Sequence, residues 1–136
     1  MITLKKEQIN SIIAYAKSQL PNEACGLIAG TRQGEDKRVE KVYLLYNVDQ
    51  SPEHFSITPQ DQLTTLKDAR ANGWELLGNW HSHPSTPSRP SEEDKRLARD
   101  SKASYLILSL AAEEPVLNSF HVEGSEASKE EIIIEE

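Results

Sequence analysis

Along the chain, apolar positions switch repeatedly between helical and extended spacing. Ile9, Ile12, Ile13, Ala16 and Leu20 recur every three or four residues, the spacing of one buried helix face. With Thr3 as a cap and Pro21 as a stop, this predicts an amphipathic helix over residues 4–19. Ala24 to Gly30 is a short apolar run closed by glycine and reads as a buried strand. Thr31 to Lys37, polar and containing Gly34, reads as a hairpin loop, and Val39 to Asn47 as the returning strand. Thr58-Pro59-Gln60-Asp61 is a helix start: a Thr cap, Pro at the first helical position, then an acid for the helix dipole. That helix is expected to reach Asn72, with Gly73 as a left-handed cap. Trp74 to His83 is predicted as a strand, Pro84 to Pro90 as a rigid loop, and Ser91 as the start of a third helix ending near Arg99. Tyr105 to Leu110 and Val116 to Val122 read as strands, and the isoleucines within Glu130 to Glu136 suit an added edge strand. This order implies an α/β or α+β fold, a mixed sheet flanked by helices.

Composition narrows the picture. A chain of 136 residues makes one domain, and 37% hydrophobic with 27% charged residues fits a folded, soluble one. A net charge of −7 argues against nucleic acid as a partner, because phosphate-tracking affinity rests on basic surface. No apolar run approaches the roughly 20 residues of a membrane span, and the N-terminal stretch lacks the pattern of a secretory signal. Cys25 stands alone, so no internal disulfide forms. The expectation is a cytoplasmic domain with neither membrane nor nucleic-acid partner. Cys25 reads as a buried structural thiol, Trp74 and Trp80 as core or groove-lining residues, and His54 and His121 as ordinary surface or sheet histidines.

The chemistry concentrates in Trp80-His81-Ser82-His83-Pro84 and Ser91-Glu92-Glu93-Asp94. Residues two apart on a strand share a face, so His81 and His83 project together as two candidate metal ligands. Ser91 and Asp94 share one face of the first helical turn. If that turn folds back over the strand end, Asp94 completes a set of two histidines and one carboxylate. Three protein ligands with an open fourth position is the pattern of a catalytic zinc. Taken singly, these residues have plainer readings: Ser91 as a helix cap, Asp94 as a dipole partner, the histidines as chance neighbours. Their joint occurrence within 14 residues favours the metal site.

The string His81-Ser82-His83-Pro84, six residues, Ser91, two residues, Asp94 resembles the signature of the JAMM (MPN-plus) zinc metalloproteases, compact bacterial type. Glu23, within Pro21-Asn22-Glu23-Ala24-Cys25-Gly26-Leu27, matches that family's upstream glutamate, and Asn47, Ser51-Pro52, Phe55 and Pro59 extend the likeness. The resemblance implies a single JAB/MPN domain over residues 1–124, a cytidine-deaminase-like mixed sheet flanked by helices, followed by an acidic tail over 125–136. It implies one Zn²⁺ per chain on His81, His83 and Asp94. It gives Glu23 the role of general base and Ser91 that of oxyanion donor. It implies hydrolysis of an amide bond at the Gly-Gly tail of a ubiquitin-like sulfur-carrier protein. A non-catalytic scaffold and a hydrolase of small amide metabolites are the alternatives, and the intact motif speaks against the scaffold. A cytidine deaminase needs a Cys pair that this chain lacks.

Overall fold

The computed structural model describes residues Met1–Glu136. In chain order the elements are β1 (Ile2–Lys5), α1 (Lys6–Ser18), β2 (Cys25–Gln33), β3 (Asp36–Leu45), α2 (Pro59–Ala71), β4 (Glu75–His83), α3 (Glu92–Leu97), β5 (Ser104–Ser109), β6 (Val116–Glu123), β7 (Glu126–Glu130) and β8 (Ile132–Glu135). All eight strands join one mixed sheet in the order β7-β6-β5-β4-β2-β3-β1-β8. β7 and β8 are separated by Glu131 alone yet stand at opposite ends of that order, so the sheet curls until its edges meet. No helix is long and apolar enough to cross a membrane.

The inner face of the curl carries the main core. Ile12 and Ala16 of α1 pack there against Ile2, Leu4, Ile28, Leu77, Trp80 and Leu106. A polar cluster fills the other end of the same face. Lys37 Nζ of β3 reaches Ser104 Oγ of β5 at 2.5 Å and Glu130 Oε2 of β7 at 3.4 Å, and Ser119 Oγ of β6 donates to Glu130 Oε1 at 2.8 Å. β3 is separated from β5 by β4 and β2 in the sheet order, and the concave side of the curl brings Lys37 to the β5–β6–β7 edge. The outer face is covered by α2, where Ala69 packs with Ala29 and Tyr43, and by α3. Gly26 lets β2 pass under Trp80, whose Nε1–H donates to the Tyr43 carbonyl at 3.1 Å; a Cβ at Gly26 would overlap both groups.

Several sequence expectations need correction. Thr3 does not cap the first helix: it pairs with Arg38 and Ile133 inside β1, and the helix starts at Lys6. Ile2 and Leu4 face inward while Thr3 and Lys5 do not, so the first four residues follow strand alternation, too short a run to stand out. The Thr31–Lys37 loop is almost wholly strand, with the turn confined to Gly34 (φ 64°) and Glu35. The third helix stops at Leu97 rather than near Arg99. Thr58 caps α2 through Asp61 N–H at 3.0 Å, and Gly73 follows that helix at φ 77°, as the sequence suggested. The acidic segment after Gly124 forms β7 on β6 and β8 on β1.

Candidate active site

β4 ends in His81-Ser82-His83, and strand alternation turns both imidazoles to the outer face and Ser82 to the inner one. The following loop is fixed to β5. Ser88 Oγ–H donates to the Ile107 carbonyl and Ser109 Oγ–H to the Thr86 carbonyl, each at 2.6 Å. The loop returns the chain to Ser91, which caps α3 reciprocally. Its Oγ accepts Asp94 N–H at 3.0 Å, and its own N–H donates to Asp94 Oδ2 at 2.9 Å. The Ser91 hydroxyl hydrogen remains free to donate.

Asp94 Oδ2 thereby lies 3.2 Å from His81 Nε2 and 3.1 Å from His83 Nε2, and the two Nε2 atoms are 3.1 Å apart. His83 Nδ1 stands 2.9 Å from the Pro87 carbonyl oxygen, which only accepts, so Nδ1 carries the hydrogen and Nε2 of the neutral ring presents a lone pair. Burial opposes charge on Asp94, but both imidazoles and the Ser91 N–H hold its carboxyl far below the usual range. His83 is opposed by burial as well, yet its bonds to Asp94 and Pro87 keep its pKa above the ordinary value. Phe55 stacks on His81 at 4.7 Å between centroids and fixes that ring. Three electron-rich atoms thus converge where water is scarce, which is repulsive unless positive charge lies between them. Ligands about 2.0–2.1 Å from a tetrahedral zinc stand about 3.3 Å apart, close to the triangle seen here. His81, His83 and Asp94 form a group able to hold a metal ion.

Glu23 sits in the connection from α1 to β2, 4% exposed. Its N–H donates to the Ser51 carbonyl at 2.8 Å, and its carbonyl accepts Asn47 Nδ2 at 3.0 Å. Asn47 also donates to the His54 carbonyl and accepts the N–H groups of Asp49 and Ser56, so one carboxamide ties Glu23 to the whole loop after β3. Glu23 Oε1 is buried without a hydrogen-bond partner. Burial pushes its pKa up to about 8; His83 and His54 pull it down, while Asp94 and Glu93 push it further up. A buried carboxyl with an empty acceptor beside a metal-type group is poised to take a proton.

The structure brings Glu23, His81, His83, Ser91 and Asp94 together, and it gives the remaining cysteine and histidines other surroundings. Cys25 is opposite His81 across the β2–β4 pair, fully buried, and burial pushes its thiol up to about 12, so it is inert at neutral pH. His54 pairs with Glu93 at 2.6 Å, and His121 with Glu130 at 3.1 Å. Sequence reasoning missed Ser82 and the Pro87 carbonyl as supports, and it singled out Phe55 and Asn47 by family likeness without their roles. Ser82 carried a usable local signal, since the residue between two same-face histidines must point the other way.

The chain matches the family model of prokaryotic homologs of the JAB domain over residues 5–123. It is 28% identical over 109 residues to the CysO-cysteine peptidase of Mycobacterium tuberculosis, covering 80% of this chain and 73% of that one. Against a probable TtuB-protein conjugate cleaving protease of Thermus thermophilus the identity is 38% over 87 residues, 63% of this chain and 55% of the relative. The solution structure of a protein from Desulfitobacterium hafniense superposes with a TM-score of 0.92 at 58% identity, covering 100% of this chain and 94% of that one. The chain belongs to the prokaryotic homologs of the JAB domain.

Proposed function

We propose that this protein is a zinc-dependent peptidase or isopeptidase that cleaves the amide bond after the Gly-Gly tail of a ubiquitin-like sulfur-carrier protein. The observation that carries the reading is the convergence of His81, His83 and Asp94 next to the unpartnered, buried carboxyl of Glu23. The names of two relatives, a CysO-cysteine peptidase and a TtuB-conjugate protease, support the carrier class of substrate.

His81, His83 and Asp94 would hold the zinc, with His83 aimed by its Nδ1–H bond to Pro87. Zinc bound there supplies Lewis acidity, polarising the scissile carbonyl and acidifying a water. Glu23 Oε1 takes the proton of the attacking water and delivers it to the leaving amine. Ser91, with its hydroxyl hydrogen uncommitted, donates to the oxygen on which charge develops. An extended tail is read through its backbone, and glycine next to the scissile bond lets the carbonyl come close to the metal ligands.

The test is a panel of carriers joined to cysteine, in which each tail glycine is replaced in turn by alanine or valine. Substitution of the final glycine is expected to slow turnover most. Equal cleavage of glycine-free tails or of unrelated unfolded peptides points to a general peptidase and discards the carrier reading.

A further inference from the structure

α3 is an odd helix: none of its residues is buried, and Leu97 in its last turn is 58% exposed. Its first turn is held by the Ser91–Asp94 cap and by Asp94 against the histidines, not by packing. Below it, on the outer face of β4, β5 and β6, lies a pocket of about 200 Å³. Its apolar walls include Phe55, Leu97, Tyr105, Ile107 and Val122, and its far wall is His81 and Asp94 themselves. Asn79, two residues before His81 and on the same strand face, also lines it. The Asn79 side chain makes no hydrogen bond within the protein, so its carboxamide has both donor and acceptor to offer.

We infer that this pocket is a side-chain subsite of the peptidase, taking an apolar side chain on the acyl side of the scissile bond. The inference rests on the reading above and names a further determinant of its substrate. The pocket is too small for a folded partner but suits one branched or aromatic side chain. It has no charged group apart from the metal-site wall, so a Lys, Arg, Asp or Glu would be buried without a partner. The side of the bond follows from Glu23. The leaving amine must sit beside Glu23 to receive its proton, and Glu23 does not line this pocket but a separate polar one with Asn22, Tyr46, Asn47 and Gln50. The pocket under α3 is therefore left for the carrier tail. Two extended glycines span about 7 Å, so the first side chain upstream of Gly-Gly lies within reach of the walls next to His81. In an extended tail that residue shares a face with the final glycine, which faces the metal ligands. Asn79 would hydrogen-bond the tail backbone, and Leu97 would close over the side chain and lose its exposure to water.

The experiment uses zinc-loaded enzyme and synthetic peptides Ala-Ala-X-Gly-Gly joined to cysteine, with X as Leu, Phe, Ala, Asp or Lys. Leu or Phe is expected to raise kcat/KM at least tenfold over Ala and more over Asp or Lys. In Leu97→Ser, at a position 58% exposed and outside the core, the Leu-to-Ala ratio should fall toward one. A second readout does not need turnover: the product peptides Ala-Ala-X-Gly-Gly are titrated while the methyl NMR signals of Leu97, Ile107 and Val122 are followed. Shifts with X as Leu that are lost with X as Ala place the side chain in the pocket. Cleavage that is indifferent to X, or product binding without shifts at those methyls, overturns the subsite and leaves the peptidase reading standing. Selective methyl shifts without cleavage of any peptide keep the subsite and overturn the peptidase reading.

Discussion

Ser82 holds both backbone groups of Ala24: its Oγ accepts the Ala24 N–H at 2.8 Å, and its own N–H donates to the Ala24 carbonyl at 3.0 Å. The residue between the two site histidines thus fixes the residue next to Glu23, and one strand positions both the metal group and the carboxyl. Ser82→Ala leaves the buried Ala24 N–H without its acceptor, which costs about 1–3 kcal/mol. The expected outcome is a lower urea midpoint together with a fall in kcat larger than any change in KM, read by denaturation and steady-state kinetics. An unchanged kcat in a destabilised variant would show that Ser82 serves the fold alone.

The donor triangle of His81, His83 and Asp94 predicts one tightly held zinc per chain. Metal analysis of protein purified without chelator should give a zinc-to-protein ratio near one. His81→Ala and Asp94→Ala should each lose most of that zinc. Retention of zinc by both variants at the parent's affinity rules out this ligand set.

The legible parts of this molecule were those carried by local pattern. The Thr58 cap, Gly73 and the alternation ending in His81 and His83 depend on a few neighbouring residues, and each is found in its expected place. β1 and β7 were not legible. Ile2-Thr3-Leu4-Lys5 is too short to show a period, and Glu126 to Glu130 contains one apolar residue, Ala127. β7 pairs with β6 in a tight hairpin across Gly124-Ser125, and its one buried residue, Glu130, is held by groups distant in sequence, Lys37 and Ser104, as well as by Ser119. In the site, spacing alone exposed the two histidines and Asp94, whereas Glu23 stood out only through family likeness. Its role depends on burial by the Asn47 loop, 24 residues away in sequence, and nothing local marks it.

Burial raises Glu23 to about 8 from an ordinary value of 4.5, with a consequence for stability. Between those two pH values the folded, metal-free protein keeps the proton and the unfolded chain has released it. Stability of zinc-stripped protein should therefore fall as pH rises through that window. Glu23→Gln should flatten this part of the slope, as measured by urea unfolding at several pH values. A slope identical in parent and variant contradicts the buried, protonated carboxyl.

Glu130 acts in the opposite sense. Its side chain is 2% exposed. Burial opposes its charge, but the hydroxyls of Ser104 and Ser119 and the charge of Lys37 hold its pKa below the usual carboxylate value. Its contribution is complete above the unfolded value of about 4.5 and is lost as pH falls through the lower, folded value. Glu130→Ala strands the Lys37 ammonium and should cost about 3–5 kcal/mol near neutral pH, the scale for breaking a buried pair. Because Glu130 anchors β7, hydrogen exchange should rise first in β6 to β8. A loss below 1 kcal/mol would mean that water replaces the carboxylate.

Proton transfer by Glu23 in a zinc-dependent amide hydrolysis at a Gly-Gly tail is the step on which the proposed function turns. The most direct measurement is the rate at which zinc-loaded parent and zinc-loaded Glu23→Gln release cysteine from a Gly-Gly–cysteine carrier adduct, followed by intact-protein mass spectrometry. The parent is expected to yield a carrier ending in Gly-Gly and free cysteine. The variant is expected to keep its zinc and to turn over at least about 10²-fold more slowly. Equal rates in the two proteins, or an intact adduct after prolonged incubation with zinc-loaded parent, would contradict that step.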